Sequence, residues 1–454
     1  MNRKFFDKEL FTVTSSVGTV SLFSLTMPLM FENIMNRLQG MVNTAVLSFY
    51  SETAVAAVGA VNTVIAVILL IGTVIAMGAT VVVSNHIGAE SIKEAEEASF
   101  ALLLTGIVLS LFMTPVLLLF SRQIISLLNL KGDIYLQALT YFNIRIAFIS
   151  FSILTSCVLA LLKCYGYPKF TFIIGFLTNL INLLLNIYVV FFPQYSPITG
   201  VKGVAYSCCV SNVIGLAASV YILLRVKIKI TMPCSFKELS SHIRRILYIG
   251  GPGGISSAAF TFSQMVTTSF VAQIGDYALS AKVYYENILG FVYLFSVGAG
   301  NANALLIGRR YGAGEFDLAT KMNRHLTHLT VLVNLCASLS VLILHRPLVG
   351  IFTDNEMIIA LSVSIFAIDI ITEQARAISH VYEYALRATG DVIFFMVVLT
   401  ASCWVFSIGL AYFLAIPCKM GLIGCYIGLA ADESVRGIVS YLRWHGGKWK
   451  QRSV

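Results

Sequence analysis

Charged residues are scarce in this sequence. They make up 12% of its 454 residues, against about 25% in an ordinary soluble domain. A chain this poor in charge cannot cover a solvated surface, which argues against a soluble enzyme or a nucleic-acid-binding domain and points to the bilayer. Other absences narrow the field further. No Walker A sequence occurs, so ATP hydrolysis by this chain is not expected. Neither HExxH nor GxSxG occurs, and no enzymatic activity is expected. The nine cysteines are odd in number and show no CxxC spacing, so they read as small apolar packing residues rather than a disulfide framework or zinc site. His325 and His328 form a lone HxxH near a helix end, too weak a signal for metal; no metal and no cofactor are expected. No cleavage site follows the first apolar run, so the N-terminus is expected to be retained.

What is present is apolar. Hydrophobic residues are 57% of the chain and the mean hydropathy is +0.84. At about 20 residues per span, the length accommodates roughly twelve transmembrane helices. Spans are predicted near 15–48, 53–83, 97–121, 133–161, 168–192, 199–225, 241–273, 277–307, 322–345, 356–386, 391–416 and 421–443. The runs do not alternate with period two, which excludes a β-barrel. Basic residues then set the orientation. Counting the N-terminal Arg3, Lys4 and Lys8, every second loop, and the C-terminal Arg443, Lys448, Lys450 and Arg452, one side holds 21 basic residues. The other side holds four: Arg122, Lys131, Arg346 and Lys419. Both termini are therefore expected in the cytoplasm, with the protein in a plasma membrane, such as a bacterial inner membrane. The net charge of +9 is explained by that bias, and no nucleic-acid partner is needed.

The two halves repeat. At an offset of 224, Pro28 pairs with Pro252, Val42 and Thr44 with Val266 and Thr268, and Ala57 with Ala281. The same offset pairs Gly88-Ala89 with Gly312-Ala313, Leu162-Lys163 with Leu386-Arg387, and Gly166 with Gly390. Gly200 and Gly203 match Gly421 and Gly424 at an offset of 221. Six spans separate the repeats, an even number, so both halves insert the same way and are related by an axis along the membrane normal. The reading is an all-α membrane protein: two six-helix bundles, 1–225 and 241–454, joined by a basic cytoplasmic linker, 226–240. An interface between such bundles suits transport by rocking one against the other. A receptor or scaffold has no need of this symmetry.

The repeated residues also resemble those of the multidrug and toxic compound extrusion transporters. The resemblance is carried by Val42-Asn43-Thr44, by Ala54 to Gly59, by Ile87-Gly88-Ala89, and by Asn179, Asn182 and Asn186 in the fifth span. In the second half it is carried by Pro252, Ala278 to Ala281, Gly312-Ala313-Gly314, Leu386 to Asp391, and the Arg443-Trp444 and Lys448-Trp449 ending. It implies twelve helices in two lobes, a central cavity, and export of small molecules driven by inward Na⁺ or H⁺ flow. The sequence departs from the family pattern where the family's ion sites would fall. The residue before Thr44 is usually Asp in the family and is Asn43 here; a neutral amide does not exchange a proton. The tenth-span and seventh-span acids of some members fall on Arg376 and Phe260. The coupling site must be read from this chain.

Charges at mid-bilayer cost about 2.5–3.5 kcal/mol each on insertion scales, so each needs a partner or a wet cavity. Asp369, Glu373, Arg376, His380, Glu383 and Arg387 step by 4, 3, 4, 3 and 4 residues and lie on one helical stripe. Lys282 and Glu286 share a face of the eighth span. Glu286 and Asp369 fall at similar depth, roughly 15–20 Å from the outer surface at about 1.5 Å per residue. Glu286, Asp369 and Glu373 are the ion-coupling candidates; static pairing with Lys282 and Arg376 is the competing reading. Static pairing with Arg387 is favoured for His380 and Glu383, and a local pair for Asp432 with Arg436. Glu32, Asn36, Asn43, Lys282 and Arg376 are the substrate-cavity candidates. Glu32 either meets a cationic substrate or proton, or pairs with Arg37 or Arg145. Met35, Met41 and Met77 would suit an adaptable apolar pocket. The leading expectation is a Na⁺- or H⁺-coupled antiporter exporting drugs or toxic metabolites. The alternative is a flippase for a lipid-linked sugar, or a dedicated exporter of one natural product, whose anionic headgroup would meet Arg37, Arg145, Lys282 and Arg376.

Overall fold

The computed structural model describes residues 10–16, 18–128, 130–196 and 198–451, without the side chains of Met41, Thr44 and Glu52. Arg3, Lys4, Lys8 and Arg452, counted above for orientation, lie outside the described residues. The predicted spans appear as helices. The first half holds α1 (Leu22–Ser48), α2 (Glu52–Gly88), α3 (Ile92–Leu119), α4 (Ser121–Ser126), α5 (Gly132–Ala147), α6 (Ile149–Cys164), α7 (Pro168–Phe191) and α8 (Gly200–Arg225). The second holds α9 (Phe236–Ile274), α10 (Asp276–Gly312), α11 (Phe316–Ile343), α12 (His345–Gly350), α13 (Glu356–Ala388), α14 (Val392–Ser402), α15 (Ala411–Ala415) and α16 (Leu422–His445). The π-helical turns Cys403–Leu410 join α14 to α15 in one span. Helices α5 and α6 form another, bent by 47°. With α4 and α12 as short connectors, the described residues make twelve spans in two lobes of six.

Only seven of these helices, or eight with the bent pair, are long and apolar enough to cross a membrane on composition alone. The helices below that level are α1, α9, α13 and α16, whose apolar stretches are interrupted by polar and charged residues. The first span begins later than expected, because Thr12–Ser15 (β1) and Gly18–Ser21 (β2) form an antiparallel hairpin ahead of α1. Ser21 ends β2 and caps α1, its side chain accepting from Ser24 N–H while Ser24 Oγ accepts from Ser21 N–H. The hairpin is tied to the second half: Arg310 donates to the carbonyls of Leu10 and Thr12 at 2.9 and 3.2 Å.

The repeat has a packing cause. Helices α2 and α10 cross so closely that a Cβ on Gly88 would stand 1.9 Å from the carbonyl oxygen of Arg309. The equivalent Cβ on Gly312 would stand 2.0 Å from the carbonyl oxygen of Asn85. Each half thus presses its glycine onto the other's backbone at the same place, as a twofold axis requires. Pro28 and Pro252 likewise sit inside α1 and α9, where each removes one intrahelical hydrogen bond. The largest apolar core joins α2, α3, α6, α10 and α13 near this crossing. Two smaller cores fill the outer parts of the halves separately. All nine cysteines are free.

Candidate functional site

In the second half the charged stripe of α13 faces inward. Asp369, Glu373, Arg376, His380, Glu383 and Arg387 are all buried. The Arg376 guanidinium contacts the Glu373 carboxylate, one turn away, and its Nε donates to Glu433 of α16 at 3.2 Å. Glu433 also meets Arg436 at 2.7 Å, and Arg436 meets Asp432 at 3.0 Å. Asp432 accepts from Ser402 and Ser407 hydroxyls at 2.5 and 2.9 Å. Asn334 of α11 donates to Glu373 Oε2 at 3.1 Å. The expected Asp432–Arg436 pair is therefore one edge of a larger network whose hub, Glu433, the sequence reading passed over. Its position three residues before Arg436 on the same helix was the available signal.

Asp369 stands apart from this network. No ion pair or hydrogen bond reaches it among the described residues, and its Oδ2 has no partner although it is 2% exposed. It lines a cavity of about 300 Å³ with Lys282, Glu286, Arg376, Tyr293 and Tyr426, and with Arg37 from α1 of the other half. Four of the sequence candidates, Glu286, Asp369, Lys282 and Arg376, thus share one wall. Glu373 lies behind it, fully enclosed. Glu286 is paired with Lys282, and Arg37 donates to the Glu286 carbonyl at 2.8 Å. The network behind Asp369 holds three carboxylates (Glu373, Asp432, Glu433) and two guanidiniums (Arg376, Arg436), and the cavity in front of it holds Arg37 beside the Lys282–Glu286 pair. A buried carboxylate with no ion partner, such as Asp369, calls for a bound cation or cavity water. Glu383 pairs with Arg387, as the sequence suggested. His380 does not join them; its ring packs on Tyr293 and Tyr384 at 5.4 and 6.0 Å between centroids.

The first half is built differently. Glu32 of α1 pairs with Lys163 of α6 at 2.9 Å and accepts from Thr171 at 3.2 Å. The partner is neither Arg37 nor Arg145: Arg37 reaches across to α10, and Lys163 ends α6 inside the protein rather than in a loop. Asn36 accepts from Asn179 at 3.2 Å. Asn43 donates to Asn182 and accepts from Asn186, both at 3.1 Å, and Gln39 joins Asn182 at 3.1 Å. Glu32, Asn36 and Asn43 therefore share the face of α1 that zips onto α7 with neutral amides. These amides border a cavity of about 490 Å³ that also holds Tyr141, Asn62, Asn212 and Arg145. Arg145 has no ion pair among the described residues, and its Nε lacks a hydrogen-bond partner. A third cavity, of about 440 Å³, lies between the halves, with Glu32, Asn36 and Lys163 on one side and Tyr384 and Arg387 on the other. Met77 lines it too, its sulfur accepting from Arg387 at 3.4 Å. Met41, the second of the three methionines, lies outside the described side chains.

His325 binds the carbonyl of Lys321 and packs edge-on against Phe11. At the C-terminus, Trp444 and Trp449 stack at 4.1 Å beside the Arg443–Asp391 pair.

Comparison with known proteins agrees with this architecture. The MatE family model matches the chain twice, over residues 28–188 and 252–413, the two halves of the repeat. The chain is 34% identical to an uncharacterized transporter, YisQ, of Bacillus subtilis over 96% of each chain. It is 28% identical to the probable multidrug resistance protein NorM of Thermotoga maritima, over 95% of this chain and 93% of that one. Among solved structures, a MOP superfamily transporter from Pyrococcus furiosus superposes with a TM-score of 0.85 at 16% identity, over 94% of each chain. That protein is described as having a binding pocket of reverse polarity that suggests a different function.

Proposed function

The chain belongs to the MatE family of multi-pass membrane transporters, and from that premise we propose that it exports small organic molecules in exchange for an inward-moving cation, Na⁺ or H⁺. The reading rests on Asp369, a buried carboxylate with no ion pair or hydrogen bond among the described residues, set on the wall of a cavity that both halves border. In an outward-open form the ion would enter this cavity and neutralise Asp369 and the carboxylate excess behind it. Neutralisation alters the charge that the two lobes must bury when they close, so the ion binds the two conformations unequally, as coupling requires. Glu286, half-exposed on the cavity wall and paired with the buried Lys282, would guide the ion; Glu373 and Arg376 would hold the field that it cancels. The lobes would divide at the basic segment 226–240 and rock about the α2–α10 crossing, with both termini in the cytoplasm. The named relative NorM supports drugs or toxic metabolites as cargo.

A second reading concerns the cargo. Arg145, with no ion pair among the described residues, is the one charged side chain lining its cavity, among amides, hydroxyls and aliphatic side chains such as Val55, Val58 and Leu69. That composition suits a molecule with an anionic group and hydrogen-bonding substituents, such as an acidic natural product or a sugar phosphate. The reverse polarity ascribed to the Pyrococcus relative is in keeping with it. The test is efflux from proteoliposomes at fixed membrane potential, with the Na⁺ and H⁺ gradients imposed separately. One gradient should drive efflux in the wild type and fail to drive it in D369N. Undiminished gradient-driven efflux in D369N would remove Asp369 from the mechanism.

A further inference from the structure

Where α2, α3 and α9 converge, a side-chain cluster stands that the transport reading does not use. His86 lies in the last turn of α2, Glu94 and Glu97 in the first turns of α3, and His242 in the second turn of α9. One ligand atom from each of His86, Glu94 and His242 falls within 4.8 Å of the others. His242 Nε2 is 3.5 Å from a carboxylate oxygen of Glu94 and 3.5 Å from one of Glu97. Two ligands on a tetrahedral ion with bonds of about 2.0–2.1 Å stand roughly 3.4 Å apart, so this half of a coordination sphere is already spaced. The His86 ring approaches the His242 ring edge-on at 6.1 Å between centroids, and a modest rotation would bring its nitrogen in.

The cluster is set into the protein. His242 is 4% exposed and Glu97 3%, and His242 Nδ1 has no partner among the described residues. Lys93 contacts Glu97 at 3.5 Å, but its side chain is largely exposed and free to leave. Two imidazoles with two carboxylates select zinc or a similar borderline divalent ion over magnesium or calcium, which take oxygen ligands. We propose that His86, His242, Glu94 and Glu97 bind one such ion. The ion would fasten α9 of the second half to α2 and α3 of the first. It would do so beside a contact already made backbone to backbone: a Cβ on Gly78 would stand 2.1 Å from the Ile246 carbonyl oxygen, and one on Gly250 2.2 Å from that of Val74. The site is not legible in the sequence, because its histidines are 156 positions apart and belong to different halves.

The test uses the purified full-length protein, titrated with Zn²⁺ by calorimetry and with Co²⁺ by visible absorption. One ion per chain should bind. H86A and E94A, both at partly exposed positions, should each weaken binding at least about tenfold and lose the Zn²⁺-dependent rise in melting temperature. C234S, which removes an exposed thiol near Lys93, should bind as the wild type does. Absence of binding, binding that H86A and E94A both leave unchanged, or binding that follows Cys234 instead would overturn the proposal. No gradient or cargo enters the measurement, so its result is independent of the transport reading.

Discussion

Arg145 and Asp369 occupy equivalent places in the two halves, 224 residues apart, and carry opposite charges. Arg145 lines a cavity within the first half, Asp369 one that Arg37 of the first half also borders, and neither has an ion partner among the described residues. Around Arg145 the polar groups are mainly amides and hydroxyls; around Asp369 the charged groups Arg37, Lys282, Glu286 and Arg376 join tyrosines, Gln264 and two hydroxyls. One packing frame, held by Gly88 and Gly312 at the crossing of α2 and α10, therefore supports two unlike interiors. The frame is set by close backbone approach, which tolerates no side chain. The cavities are set by residues that the crossing does not constrain, and these have diverged in sign.

The comparison can be broken most forcefully at Arg376. R376A leaves Glu373 and Glu433 buried without their shared cation and should cost about 3–5 kcal/mol of stability, read by denaturant unfolding in detergent. R145A orphans no carboxylate and should cost far less; equal losses would mean that the two halves are not built as unlike as they look. G88A and G312A test the shared frame. Each should lose about 1–3 kcal/mol from overpacking, and the two losses should be alike. A large loss from one and none from the other would deny the symmetric crossing. The smallest effect is expected at Asn43. N43A removes two amide hydrogen bonds to α7 and should cost about 1–2 kcal/mol, with gradient-driven efflux retained, since a neutral amide carries no coupling charge.

Much of the frame was legible in the sequence because its causes are local or periodic. Apolar runs marked the spans, the 224-residue register marked the glycines, and the 3- and 4-residue spacing put the α13 charges on one buried stripe. Partners were less legible. The pairing of Glu32 with Lys163 depends on where α6 ends in space, and the charge count alone placed Lys163 in a loop. Glu433 was overshadowed by its neighbour Asp432, whose spacing to Arg436 offered a simpler pair. The second strand of the hairpin, Gly18–Ser21, falls inside the first predicted span, 15–48, because strand pairing with Thr12–Ser15 leaves no mark in an apolar count. The isolation of Asp369 was invisible, because a sequence shows which charges share a face but not which of them touch.

The most direct measurement sets two variants side by side in proteoliposomes under the coupling gradient. D369N is predicted to retain cargo binding but to lose its dependence on the gradient, whereas R145Q should keep that dependence and bind an anionic cargo more weakly. If D369N still answers to the gradient as the wild type does, or if the two variants fail in the same way, the assignment of ion and cargo to separate halves is contradicted.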